Sequence, residues 1–245
     1  MAPSPRKAKI RYRRILLKLS GEAFANRAAG ESLCPETFRS MAEQIRRVRE
    51  QGVEIAIVIG GGNIFRGFAG EGHGIDRTTG DHMGMLATVI NSLALQSALE
   101  SEGLEVRTMT AIAMPAVAEP FIRRRAVRHL EKGRVVIIGA GTGNPFFSTD
   151  TAAALRASEI EANALLKATK VDGVYTADPK KHPDARRYDE LTYAEALQRQ
   201  LKIMDAAAFA LCQENDIPIV VFDFFKKDEI LRVVRGERVG TRVHR

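Results

Sequence analysis

Residues Val53–Gly67 read VEIAIVIGGGNIFRG, in which an almost wholly apolar run, Val53–Ile59, leads into three consecutive glycines, Gly60–Gly62. A strand apolar on both faces belongs to a sheet covered by helices on each side, the habit of parallel sheets. The glycines let the backbone approach a ligand with no Cβ in the way. A glycine turn at the carboxyl end of such a strand is where α/β folds receive anions.

The pattern repeats on either side. Ile15–Leu19, Val106–Ile112, Val135–Ile138 and Ala164–Val171 read as further strands. Pro35 opens a helix whose apolar stripe is Phe38, Met41, Ile45 and Val48, and Gly52 stops it. Leu86, Val89, Ile90 and Leu93 give a second stripe, closed by Gly103, and residues 120–132 and 151–162 supply two more helices. Strict alternation implies right-handed crossovers and an α/β fold, a three-layer αβα sandwich with a mainly parallel central sheet. After residue 172 comes a polar loop, then helices at 192–200 and 205–214, a strand at Ile217–Phe224, a helix at 227–235 and a short strand near Thr241–Val243. The expected organisation is a basic tail, residues 1–13, followed by a single domain, 14–245, of two joined lobes dividing near residue 165.

Composition narrows the function classes. The chain has 245 residues, 45% hydrophobic and 27% charged, which excludes disorder and disulfide-stapled miniproteins. Of the net charge of +7, the first fourteen residues hold +6 and the last fourteen +4, leaving residues 15–231 at −3. A core built to grip a polyanion would carry the excess itself, so nucleic acid is not an expected partner. The run Arg123–Arg125 with Arg128 reads as a solvated helix face. Cys34 and Cys212 form no CxxC, and the five histidines form no HxxxH or HExxH, so no protein-held metal is expected. The apolar run Ile15–Leu17 is too short for a signal-peptide core, and no stretch is long enough to span a membrane. These features point to a cytoplasmic, reducing compartment.

Four segments put glycine or small polar residues directly after a strand: Lys18–Gly21 (KLSG), Gly60–Gly67 (GGGNIFRG), Gly139–Asp150 (GAGTGNPFFSTD) and Lys167–Pro179 (KATKVDGVYTADP). The third is no GxGxxG, because its sixth position is Asn144, and no GxxxxGK[ST] occurs anywhere. Several anion-friendly turns at one sheet edge, with Lys18 and Arg66 beside them, suit two phosphorylated ligands placed end to end. Catalysis there rests on in-line positioning and charge neutralisation. Lys18, among apolar neighbours, is costly unless it is paired or faces a ligand. Asp150 after Ser148 and Thr149 reads equally as a helix cap, and Asp178 before Pro179 equally as a turn residue.

Taken in order, ILLKLSGEAF, IVIGGGNIFRG, GDHMGMLATVIN, GTGNPFFSTDTAAALRASEIEA, LLKATKVDGVYTADP and IMDAAAFAL resemble the amino acid kinase superfamily and, within it, the uridylate branch. The resemblance runs from about Arg14 to the C-terminus. It implies phosphoryl transfer from ATP to UMP, with a UMP lobe at about 14–164 and an ATP lobe at about 165–245. Lys18, Leu19, Ser20, Gly21, Gly62 and Arg66 would meet the ATP phosphates, and Thr169, Tyr175 and Asp178 its adenosine part. Gly61, Asp81 and the loop Thr142, Gly143, Asn144, Pro145, Phe146, Phe147, Ser148 and Thr149 would hold UMP. Lys18 would stabilise the transferred group, Asp150 would orient the lysine or the Mg²⁺ sphere, and Asp205 is a second catalytic candidate. Mg²⁺ would be carried with ATP. A homohexamer, inhibition by UTP and activation by GTP are also implied. Ala25–Cys34 and the acidic helix end Gln96–Glu102 depart from the pattern and bear on the activator. Two rivals remain: a family member phosphorylating a small carboxylate, and a nucleic-acid-binding regulator using the basic termini.

Overall fold

The computed structural model describes residues 10–65, 74–179 and 181–245. Its strands in chain order are β1 (Arg14–Leu19), β2 (Glu54–Ile59), β3 (Val106–Thr110), β4 (Glu119–Pro120), β5 (Val135–Gly139), β6 (Ala164–Thr169), β7 (Glu190–Thr192), β8 (Ile219–Asp223) and β9 (Thr241–His244). The helices are α1 (Pro35–Arg49), α2 (Arg77–Ser101), α3 (Arg123–Glu131), α4 (Thr149–Glu159), α5 (Tyr193–Gln198), α6 (Ala206–Glu214) and α7 (Glu229–Val234). The strands form one nine-stranded sheet in the order β4-β3-β5-β2-β1-β6-β8-β9-β7. Among the described residues every pairing between these strands is parallel except β8 with β9.

Alternation along each strand divides the core. Leu17, Ile57 and Ile137 pack with Met41 and Ile45 of α1, Leu95 of α2 and Val233 of α7. Leu16, Val58 and Ile138 face the other way, against Leu130 of α3, Ala153 and Ala157 of α4 and Phe209 of α6. Each fully buried aliphatic chain contributes about 1.5–3 kcal/mol relative to exposure. Alanines at 152–154 and 157 let α4 lie close over the sheet.

Several elements differ from expectation for local reasons. The strand from Ala164 stops at Thr169, whose hydroxyl donates to Val171 O at 2.6 Å and accepts from Val171 N–H, a side-chain turn that ends the ladder. The helix expected at 120–132 begins at Arg123, because Glu119 and Pro120 pair with β3. The helix expected from 227 begins at Glu229, after a left-handed Asp228. The polar loop after 172 carries its own pairing, Tyr175 with Arg187, and leads into β7, whose three residues give no periodicity to read. In α2, Val89 is buried, whereas Leu86, Ile90 and Leu93 of the same stripe stand exposed at 48%, 47% and 37%. No helix among the described residues is long and apolar enough to cross a membrane.

β1 lies where the strand order reverses, with β2 on one side and β6 on the other. Open α/β sheets take ligands at the carboxyl end of the strands at such a point.

Candidate active site

Leu16–Lys18 and Leu165–Lys167 both read LLK, and β1 pairs with β6 in a register that sets Lys18 opposite Lys167. Side chains alternate along a strand, so both lysines leave the sheet on the face of Leu16 and Leu165, beneath α4 and α6. Asp150, in the first turn of α4, meets both. Its Oδ2 accepts from Lys167 Nζ at 2.6 Å, and its Oδ1 lies 2.8 Å from Lys18 Nζ as a charge contact off the hydrogen-bonding direction. Lys167 Nζ also donates to Ile203 O at 2.6 Å.

Burial works to raise the Asp150 carboxyl, but the ammonium groups of Lys18 and Lys167 outweigh it and hold the acid below its ordinary value. Burial pushes the Lys167 ammonium below the ordinary lysine value, aided by Lys18 and opposed by Asp150. Lys18, Lys167 and Asp150 together carry one positive charge in excess, set against the nearby negative charge of Asp205.

Asp205 is engaged as a shared cap. It accepts from Ala208 N–H at 2.9 Å at the start of α6, from Thr151 Oγ1 at 2.9 Å and from Ser148 Oγ. Ser148 in turn caps α4, accepting from the N–H groups of Asp150 and Thr151. The N-termini of α4 and α6 are thereby stapled together close to the lysines, and helix N-termini favour anions.

The glycine turns close in from the other side. Gly60 N–H donates to Leu19 O at 2.9 Å. A Cβ on Gly21 would overlap Gly60 O and sit 2.5 Å from Asn63 Oδ1, and one on Gly61 would sit 2.8 Å from Gly84 O, so both approaches require glycine. Buried Asn91 fixes this turn by donating to Gly60 O at 2.6 Å and to Asn63 Oδ1 at 2.7 Å.

Two cavities flank the centre. One, of about 420 Å³, is lined by Gly61, Gly62, Asp81, Thr142, Asn144, Phe147, Ser148 and Thr149, together with Met85 and Thr88 of α2. The other, of about 260 Å³, is lined by Lys18, Leu19, Ser20, Lys167, Thr169 and Phe224. Glu22 borders both. A third hollow, between α1 and α2 beside Phe38 and Glu102, does not adjoin the lysines.

The loop lining the larger cavity is strained. Ala140, Gly141, Gly143 and Phe146 all have left-handed backbones, and for Ala140 and Phe146 each such conformation costs about 1–3 kcal/mol and persists because the surroundings enforce it. Thr88 Oγ1 accepts from Ala140 N–H at 2.8 Å, and Asp81 accepts from Phe146 N–H at 2.7 Å. Asp81 also receives Arg77 Nε at 3.0 and 3.2 Å, and the Arg77 guanidinium lies over the Phe146 ring.

The sequence-derived candidates are thus only partly brought together. Lys18 and Asp150 touch. Gly61, Asp81, Thr142, Asn144, Phe147, Ser148 and Thr149 share the larger cavity, and Gly62, assigned to ATP, lies with them. Gly143, Pro145 and Phe146 do not line it; the Phe146 side chain is 66% exposed. Gly21 abuts Gly60 rather than lining either cavity. Leu19, Ser20 and Thr169 reach the smaller cavity, whereas Tyr175 and Asp178 lie outside its lining, with Tyr175 Oη donating to Asp172 at 2.6 Å. Arg66 lies outside the described residues. Sequence reading passed over Lys167, although the second LLK was its signal. It also passed over Arg77 and Arg156, which have no signal beyond helical spacing from Asp81 and from the α4 cap.

The model of the amino acid kinase family matches residues 13–223. The structure of UMP kinase from Bacillus anthracis is similar, with 44% identity and a TM-score of 0.92, covering 95% of this chain and 96% of that one. UMP kinase from Ureaplasma parvum has 37% identity and a TM-score of 0.90, with coverage of 96% and 100%. Uridylate kinase from Archaeoglobus fulgidus has 30% identity and a TM-score of 0.72, with coverage of 94% and 99%. With its paired lysines, its glycine turns and this likeness over nearly its whole length, the chain belongs to the amino acid kinase family.

Proposed function

We propose that the chain is a UMP kinase, transferring the γ-phosphoryl group of ATP to UMP to give ADP and UDP, reversibly, in pyrimidine nucleotide biosynthesis in the cytoplasm. The observation that carries this reading is the Lys18–Asp150–Lys167 cluster between two cavities. It is supported by end-to-end likeness to proteins that are themselves UMP kinases. UMP occupies the larger cavity, in the lobe of residues 14–164, and ATP enters from the smaller, which β1 and the turn after it share with the lobe of 165–245.

In the reaction a phosphate oxygen of UMP attacks the γ-phosphorus, and the bond to the β,γ-bridging oxygen breaks. The attacking oxygen is already anionic, so no general base is needed. Lys18 and Lys167 neutralise charge that develops on the transferred group, and Asp150 holds both ammonium groups in place. Asp150 Oδ2 and both oxygens of Asp205 already accept from protein donors, and Asp150 Oδ1 faces the Lys18 ammonium, so Mg²⁺ would enter with ATP rather than be held by a carboxylate cage of this chain. When present it adds charge neutralisation on the phosphates.

The exposed apolar face of α2 suits packing against a second copy, in keeping with a homohexamer. UTP, sharing uracil and ribose with UMP, competes for the acceptor cavity, and GTP is the proposed activator. The test is ADP release with Mg-ATP against UMP, CMP, AMP, GMP, acetylglutamate, aspartate and carbamate, with UTP and GTP arms. Turnover confined to UMP is expected; turnover with a small carboxylate instead would overturn the acceptor assignment.

A further inference from the structure

Arg156 of α4 is only 5% exposed, an unusual setting for a guanidinium. Its Nη1 pairs with Glu159 at 2.6 Å, and its Cζ lies over the Phe121 ring, 4.2 Å from the centroid. Its Nη2 points at the strained loop, with Gly141 O at 3.3 Å and Thr142 O at 3.5 Å, while its Nε has no partner among the described residues. The chain therefore keeps a buried cation that its neighbours satisfy incompletely, and the groups it reaches are the carbonyls of two residues lining the larger cavity.

We infer that Arg156 is a positioning residue for the phosphoryl acceptor. It grips the Gly141–Thr142 backbone from beneath and holds the left-handed loop in its acceptor-binding shape. The inference rests on the assignment of the larger cavity to UMP. Thr88 and Asp81 fix the ends of the loop at Ala140 and Phe146, and Arg156 holds the stretch between them. The planar fork matters as well as the charge, because one guanidinium must meet a carboxylate, a ring face and two carbonyls at once.

The experiment compares Arg156→Met and Arg156→Lys with the full-length wild-type protein in two assays, steady-state kinetics and hydrogen–deuterium exchange. Losing a charge-assisted contact to the loop is expected to raise the KM for UMP about tenfold, with the KM for ATP within about twofold. Backbone amides of 141–147 are expected to exchange about tenfold faster, with those of β1 and β6 unchanged. Arg156→Lys should recover only part of either effect. Unchanged exchange in the loop, or faster exchange spread through α4 and the central strands, overturns the inference. If Arg156→Met does not fold, Phe121→Leu, which removes only the ring face, carries the same test with an expected rise of about threefold in the KM for UMP. The exchange arm needs no substrate, so a wild-type protein inactive on UMP refutes the function while loop exchange still decides the role of Arg156.

Discussion

Replacing Lys167 with methionine removes one of the two ammonium groups at the centre while preserving the length of the stem. Asp150 keeps Lys18 at 2.8 Å, so no buried carboxylate is left without a cation. Ile203 O loses its donor, which costs about 1–3 kcal/mol, but burial of a second cation beside Lys18 is relieved at the same time. These opposing contributions leave a net change of about 1 kcal/mol, equivalent to a Tm shift of about 2–4 °C for a chain of this size. The chemical step has no such compensation. Loss of one preorganised donor to the developing charge is worth about 2.7–4 kcal/mol, so kcat falls by about 100–1,000-fold. The assay is coupled ADP release at saturating ATP and UMP, with Tm measured on the same preparation. A folded Lys167→Met protein whose kcat stays within about threefold of wild type would refute the assignment of Lys167 to the transition state.

Asp205→Asn keeps a competent cap, since Asn and Asp are equivalent there, but removes a negative charge that helps hold the Lys167 ammonium protonated. The Lys167 pKa, already lowered, drops further, so the alkaline limb of the kcat–pH profile should begin at lower pH; an unmoved limb would separate Lys167 from that limb. Gly21→Ala forces a methyl group into Gly60 O, an overpacking of about 1–3 kcal/mol that should lower kcat about tenfold or more; wild-type kinetics would show that the turn tolerates a side chain. Asp81→Asn weakens the link to Arg77 and the hold on Phe146, and should raise the KM for UMP about tenfold and that for ATP less than about twofold. Equal effects on both substrates would place Asp81 outside the acceptor site.

The layered fold was legible because its strands are apolar on both faces and its helices have readable ends, as with Pro35 of α1. Lys18 stood out as a cation in such a strand, but its partner did not: pairing Lys167 with it requires knowing that β6, 149 residues along, lies beside β1. The outward stripe of α2 shows the converse limit. Leu86, Ile90 and Leu93 have the spacing of a core-facing helix, and periodicity records which residues share a face without recording what covers it. Asp205 reads as a second catalytic candidate from its place in a motif, and the structure adds a capping role that is held in three hydrogen bonds rather than in residue type. Arg156 was hidden for a similar reason. An arginine two turns into a helix reads as surface until the loop above it is in place.

The central position of β1 also governs how the molecule is made. Synthesis delivers β1 first and β2 soon afterwards, but the other edge of β1 is completed only by β6, and β6 in turn by β8 near residue 219. A nascent chain that has emerged only to α4 therefore carries an open, strongly apolar strand edge, the template on which chains pair wrongly with one another. With synthesis running at about 5–20 residues per second, that edge stays unpaired for seconds. The strand order that brings the two lysines together thus makes late release from the ribosome, and shielding of the N-terminal half until then, a condition of obtaining the folded protein in good yield.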